Sequence, residues 1–178
     1  PLPKMRSILS ILRRLLACAA LLLAGLAQAQ APWIAAEIVL SESAVPPGDA
    51  AAWVTQALPD EWQRTRPQFR GRAWYRFRAE LVTAPDAVQA IYVPRGGDRL
   101  TVFVNGGLVG ATAEPDGEAM NTWKRPLLFT IPPAALAAGT NQVHIRVDGV
   151  ADHYSGLSPV VFGAQGPLRA AYWKRFAL

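Results

Sequence analysis

From Gly71 onward, apolar and polar residues alternate with a period of two, the spacing of a half-buried β-strand. In GRAWYRFRAEL, Tyr75, Phe77, Ala79 and Leu81 share one face, while Trp74, Arg76, Arg78 and Glu80 take the other. VQAIYV, from Val88 to Val93, is almost continuously apolar, which predicts a central strand. In RLTVFVNGGLVG, Leu100, Val102 and Val104 share a face, and Asn105-Gly106 supplies the two positive-φ residues of a tight hairpin turn, with a longer, bulged loop open because of Gly107. RPLLFTIP predicts the next strand. PPAALAAGTN predicts one short helical turn that has proline at its start and Gly139 past its end. In QVHIRVDG, Val143, Ile145 and Val147 point inward, while Gln142, His144, Arg146 and Asp148 point outward, with His144 expected in solvent. SPVVFGA predicts a last strand before LRAAYWKRFAL.

The stretch from Ala31 to Arg70 lacks this rhythm and is expected to be irregular. Pro46-Pro47-Gly48 forces a turn, and Asp49 is placed to cap a short helical turn through Ala50–Ala52. Trp53 and Trp62 are expected to be apolar anchors against the outside or end of a sheet, with a stacking role as the alternative. Strands at this spacing, separated by turn signals and without a long amphipathic helix, predict an all-β fold, an antiparallel β-sandwich. At 178 residues the chain has room for one domain with a substantial core.

The N-terminus has a different pattern. A basic start leads into the apolar run Leu15–Ala27 and then Ala27-Gln28-Ala29, the order of a secretory signal peptide cleaved after Ala29. An uncleaved anchor is the alternative; Met5 is the expected start. Cys18, the single cysteine, lies within this run, with most of the apolar stretch behind it, so a lipoprotein signal is discounted. The mature chain must then hold together without disulfides. Lys4, Arg6, Arg13 and Arg14 fall in the leader, which leaves fourteen basic residues against thirteen acidic ones. A domain so near neutrality lacks the field that nucleic-acid binding requires, despite the arginines of QRTRPQFRGRAWYRFR. Arg76 and Arg78 are read as a solvated strand face, with acidic residues or an anionic ligand as what it could face.

Catalytic chemistry has little support. His153 stands in a loop with Asp148, Asp152 and Tyr154, but no nucleophile accompanies it. With two histidines, no metal site is expected. EPDGE, Glu114 to Glu118, offers oxygen ligands without the length of a calcium loop, and is read as a polar surface loop. The carboxylates include no recognisable glycosidase pair. No cofactor is expected.

The succession GRAWYRFRAEL, RLTVFVNGGLVG and GTNQVHIRVDG resembles galactose-binding-like jelly rolls, including the N-terminal domains of β-galactosidase-like glycoside hydrolases. The likeness runs over about residues 70–165, with its motifs at Trp74–Arg76, Val102–Gly110 and Gly139–Val147. TQALPDEWQRTRPQFRGRAWYRFR, NTWKRPLLFTIPPAAL and GLSPVVFGAQGPLRAAYWKRF are similar to the periplasmic sensor regions of membrane-bound bacterial signalling proteins. Sensor histidine kinases fit best, then diguanylate cyclases.

With the signal peptide (1–29) and the irregular N-terminal part (30–70) already read from the residues, that resemblance implies a jelly-roll core (71–168) and a juxtamembrane segment (169–178) leading to a transmembrane region. In it, Tyr172 and Trp173 would sit at the membrane interface, with covering the open end of the sandwich as the alternative. The implied function is non-catalytic periplasmic sensing at the inner membrane, with a small molecule (a carbohydrate among the options) or a periplasmic protein as partner, and a homodimer as one arrangement. Two alternatives remain: a carbohydrate-binding module of a secreted glycoside hydrolase, and a stand-alone periplasmic interaction domain. The fold is common to all three. The loop end of the sandwich is the expected binding surface, with Arg95, Asp98, Asn121, Trp123, Lys124, Arg125, His153 and Tyr154 as candidates. Trp123 and Tyr154 would offer stacking faces, and the others polar contacts.

Overall fold

A computed structural model of the chain describes residues 31–97, 99–112, 125–149 and 154–177. The two-residue periodicity produces two antiparallel sheets facing one another. The larger has six strands: β1 (Ala35–Leu40), β2 (Val54–Ala57), β4 (Gly71–Leu81), β6 (Arg99–Val104), β7 (Gly107–Ala111) and β9 (Gly139–Gly149), in the order β2-β1-β4-β9-β6-β7. The smaller contains β5 (Gln89–Val93) between β8 (Leu127–Ile131) and β11 (Val161–Ala164). The two-residue strands β3 (Asp60–Glu61) and β10 (Gly156–Leu157) pair at one end.

Alternation fills the space between the sheets as expected. Tyr75, Phe77, Val102, Val143, Ile145 and Val147 meet Ile91, Val93, Phe129, Ile131 and Phe162 from the smaller sheet, all buried. β5 is the central strand of its sheet, as its apolar run predicted. The Asn105-Gly106 turn has φ of 50° and 82°, and Val104 pairs directly with Gly107. The hairpin is therefore the tight form, and its irregularity lies lower down, between Val102 and Phe103. The proline-initiated turn is a 3-10 helix, Pro133–Ala135.

Residues 31–70 depart from the expected irregularity. They supply β1, which pairs with β4, as well as β2, β3 and a single helical turn, α1 (Trp62–Thr65). The connection from Ser41 to Trp53 crosses the outer face of the six-stranded sheet. No helix forms at Ala50–Ala52; the Asp49 carboxylate instead meets the Arg76 guanidinium at 2.6 Å.

This strap corrects the expected solvated face. Arg76 is 5% exposed and bonds Asp49 and, at 3.0 Å, Glu37, while Trp53 lies 4.3 Å over its guanidinium. Trp74 is fully buried on the same face. His144, expected in solvent, is 3% exposed, with the Trp53 ring 5.8 Å away. Arg78 does remain exposed, bonding Glu37 at 2.7 Å. Alternation assigns a residue to a face, and a distant segment decides whether that face meets water.

The chain's last helix, α2 (Gln165–Phe176), takes in most of the segment expected next to a membrane and packs on the strands of the smaller sheet. Its residues are partly or wholly exposed, among them Phe176, which stacks on Tyr172, and Trp173, which meets both rings edge-on. Among the described residues, no helix is long and apolar enough to cross a membrane.

Candidate ligand-binding groove

At the end of the sandwich where β5 leaves and β11 enters, four short segments are tied together through their backbones. Ser158 N–H donates to the Arg95 carbonyl at 3.0 Å, and Arg95 N–H donates to Ser158 Oγ at 3.0 Å. Trp33 exchanges backbone bonds of 2.7 and 3.2 Å with Val160, and Leu58 N–H reaches the Ile34 carbonyl at 2.8 Å. Gly97 lets two loops approach closely, since a Cβ there would lie 2.4 Å from Ser155 Cα and from the Tyr154 carbonyl. This end is consequently a fixed framework.

Beneath it lies a buried network. Trp62 Nε1 donates to Tyr75 Oη at 2.7 Å, and Tyr75 donates to Asp60 Oδ2 at 2.6 Å. Arg66 reaches the same oxygen at 2.6 Å, and Thr65 bonds Asp60 Oδ1 at 2.6 Å. Burial and the neighbouring Asp60 charge push the Tyr75 phenol well above its usual range, so it remains a donor. With all members paired, this network fixes the start of α1 and leaves no group directed at a ligand.

Beside this framework is a groove of about 380 Å³. Its walls are Pro32, Pro59, Pro94, Pro159 and Val161; Arg95, Glu61 and Ser158 stand at the sandwich side, and Arg175 closes it from the last turn of α2. A second groove of about 410 Å³ runs along α2 between Arg169, Tyr172 and Trp173 and the strands β7 and β8.

The candidate residues separate accordingly. Arg95 is exposed and lines the first groove. Arg125 is exposed beside Pro126 at the rim of the second. Tyr154 is 53% exposed on the loop that packs against Gly97. Leu127 pairs with Val93, so Arg95 and Arg125, each two residues beyond, do share the expected end of the sandwich. Asp98, Asn121, Trp123, Lys124 and His153 lie outside the described residues, as does EPDGE. Sequence reasoning missed Glu61, Arg175 and the prolines. Each proline falls at a strand boundary, where it reads as punctuation, and only folding gathers them into one wall.

Two sheets, a tight hairpin and a groove at the loop end define a galactose-binding-like β-sandwich. No protein-family model and no curated protein matches the chain. Among solved structures, it is similar to a calcium-binding mutant of Bacteroides uniformis β-glucuronidase 2, with a TM-score of 0.56 and 19% identity over 78% of this chain and 18% of that one. It is also similar to a GH2 β-galacturonidase from Eisenbergiella tayi, with a TM-score of 0.53 and 16% identity over 74% of this chain and 23% of that one. Ruminococcus gnavus β-glucuronidase gives 0.53 and 16%, over 73% and 27%. The chain thus spans less than a third of each, and the likeness is one of fold.

Proposed function

We propose that the chain is a non-catalytic ligand-binding domain that serves a membrane-bound signalling receptor on the outer side of the bacterial inner membrane. The observation that supports this most is the make-up of the first groove: loops at the sandwich end form one side, and Arg175 of the final helix forms the other. A ligand held there touches both the framework and α2, so its binding free energy shifts how the helix sits on the sheet. α2 buries no residue completely, which keeps the cost of such a shift low. A histidine kinase is the preferred output, and a diguanylate cyclase the second.

The test is the full reading frame together with its output. Apolar spans followed by a phosphoacceptor histidine and an ATP-binding region, or by a cyclase domain, support the proposal. In the membrane-embedded parent, Arg95→Glu or Arg175→Glu is expected to change basal or stimulated output. Unchanged output from both variants overturns it.

A carbohydrate-binding module is the second reading, favoured by the fold shared with enzymes that act on glucuronides and galacturonides. It predicts a catalytic barrel in the same reading frame and measurable sugar affinity without any dependence on α2.

A further inference from the structure

The groove's chemistry restricts what fits it. Prolines have no backbone N–H, so the walls built by Pro32, Pro59, Pro94 and Pro159 offer apolar surface and no donors from those residues. Ser158 is already engaged: its Oγ accepts from Arg95 N–H and donates to the Pro159 carbonyl at 3.2 Å. Specific polar recognition therefore falls to the side chains of Arg95, Arg175 and Glu61. Glu61 has a nearby cation, Arg64, at 3.8 Å, whereas neither groove arginine has an ion pair among the described residues. The groove presents a net positive charge on a rigid, apolar bed.

Resting on the reading of this groove as the binding site, we infer that its ligand is an organic carboxylate with an apolar body: the carboxylate between Arg95 and Arg175, and the ring or chain on the proline wall. A guanidinium matches a carboxylate with two parallel N–H donors. A neutral sugar requires a spread of paired donors and acceptors around its hydroxyls, which proline walls do not offer. A bare inorganic anion leaves the apolar wall unused.

The experiment is calorimetric titration of the purified chain with benzoate, 3-phenylpropionate and octanoate, and with the corresponding amides. An unbiased screen of neutral metabolites and sugars is run alongside. At least one acid is expected to bind, its amide at least about tenfold more weakly, as loss of a charged hydrogen-bond partner implies. Arg95→Gln and Arg175→Gln, both at exposed positions, should each weaken the acid by about tenfold or more. Failure of every acid overturns the ligand class. If a neutral compound then binds and the arginine variants or Val161→Glu abolish it, the groove survives as the site with a different ligand. If an acid binds and the double arginine variant retains full affinity, the groove itself is the wrong site and both conclusions fall.

Discussion

Asn105 Nδ2 donates to Asn141 Oδ1 across 2.9 Å, joining the two asparagines of the VNG and GTN motifs that gave this sequence its family likeness. Asn105 also bonds the Ala135 carbonyl at 3.0 Å and receives Gln142 N–H at 2.9 Å. Asn141, fully buried, closes the turn after Pro133 through Ala137 N–H at 2.9 Å and the carbonyls of Ala137 and Gly139 at 2.8 and 3.1 Å. This amide knot follows the C-terminal end of β6, opposite the loop end that carries Arg95. The motifs therefore record the fold and lie away from the groove.

Asn141→Ala removes buried bonds and leaves the Ala137 groups unpaired, an expected loss of about 2–3 kcal/mol in urea unfolding. Asn105→Gly retains the positive φ and should cost about 1 kcal/mol, while Asn105→Ala adds about 1–2 kcal/mol of backbone strain. Ligand binding at the groove should survive in all variants that remain folded.

Asp60→Ala takes the acceptor from the buried Tyr75 and the carboxylate from Arg66, which keeps Gln56 at 3.0 Å and some contact with solvent, so about 2–3 kcal/mol should be lost. Tyr75→Phe deprives only Trp62 Nε1 of its acceptor and one Asp60 oxygen of a donor. It should cost about 1–3 kcal/mol, visible in the same unfolding curves.

His144 gives the domain an acid sensitivity. Burial, with the Arg76 charge adding to it and Asp49 opposing, lowers the imidazole from 6.5 to about 4. The unfolded chain takes up a proton below about 6.5 that the folded chain refuses. Stability is complete above that pH and declines toward pH 4 by about 1.4 kcal/mol per unit. Glu37, held below 4.5 chiefly by its hydrogen bond to Arg76, loses its stabilising charge in more acidic solution and extends the decline. His144→Leu should flatten stability between pH 6.5 and 4. A slope equal to that of the unaltered chain would show that His144 is not the group responsible.

Arg76→Ala releases the strap, because Asp49 and the Trp53 ring lose their common partner. Hydrogen exchange of the Trp53 indole N–H, bonded to the Gly48 carbonyl at 3.0 Å, should quicken at least about tenfold, and limited proteolysis should cut within residues 41–53. Arg146→Ala is expected to loosen the strap less, since its bond to the Ala44 carbonyl is 3.3 Å.

Much of this architecture was legible along the chain. Leu100, Val102 and Val104 read as one face and are buried together; Asn105-Gly106 read as a turn and is one. The groove was less so. Of the described candidates only Arg95 lines it, and its opposing Arg175 lies eighty residues later in a stretch read as heading for a membrane.

Local chemistry accounts for the division. Strand periodicity, positive-φ turn residues and proline boundaries act over a few neighbouring residues, so the order of residues alone established the strands, the hairpin and the all-β class. Burial of His144, Trp74 and Arg76 depends on a strap laid over them from distant positions: Asp49 lies 27 residues before Arg76, and Trp53 stands far earlier in the chain than His144. The groove depends on four prolines, Glu61 and two arginines drawn from separate segments. Such meetings are settled when the sheets pack, because long-range contact, rather than local preference, removes a face from water or closes a wall.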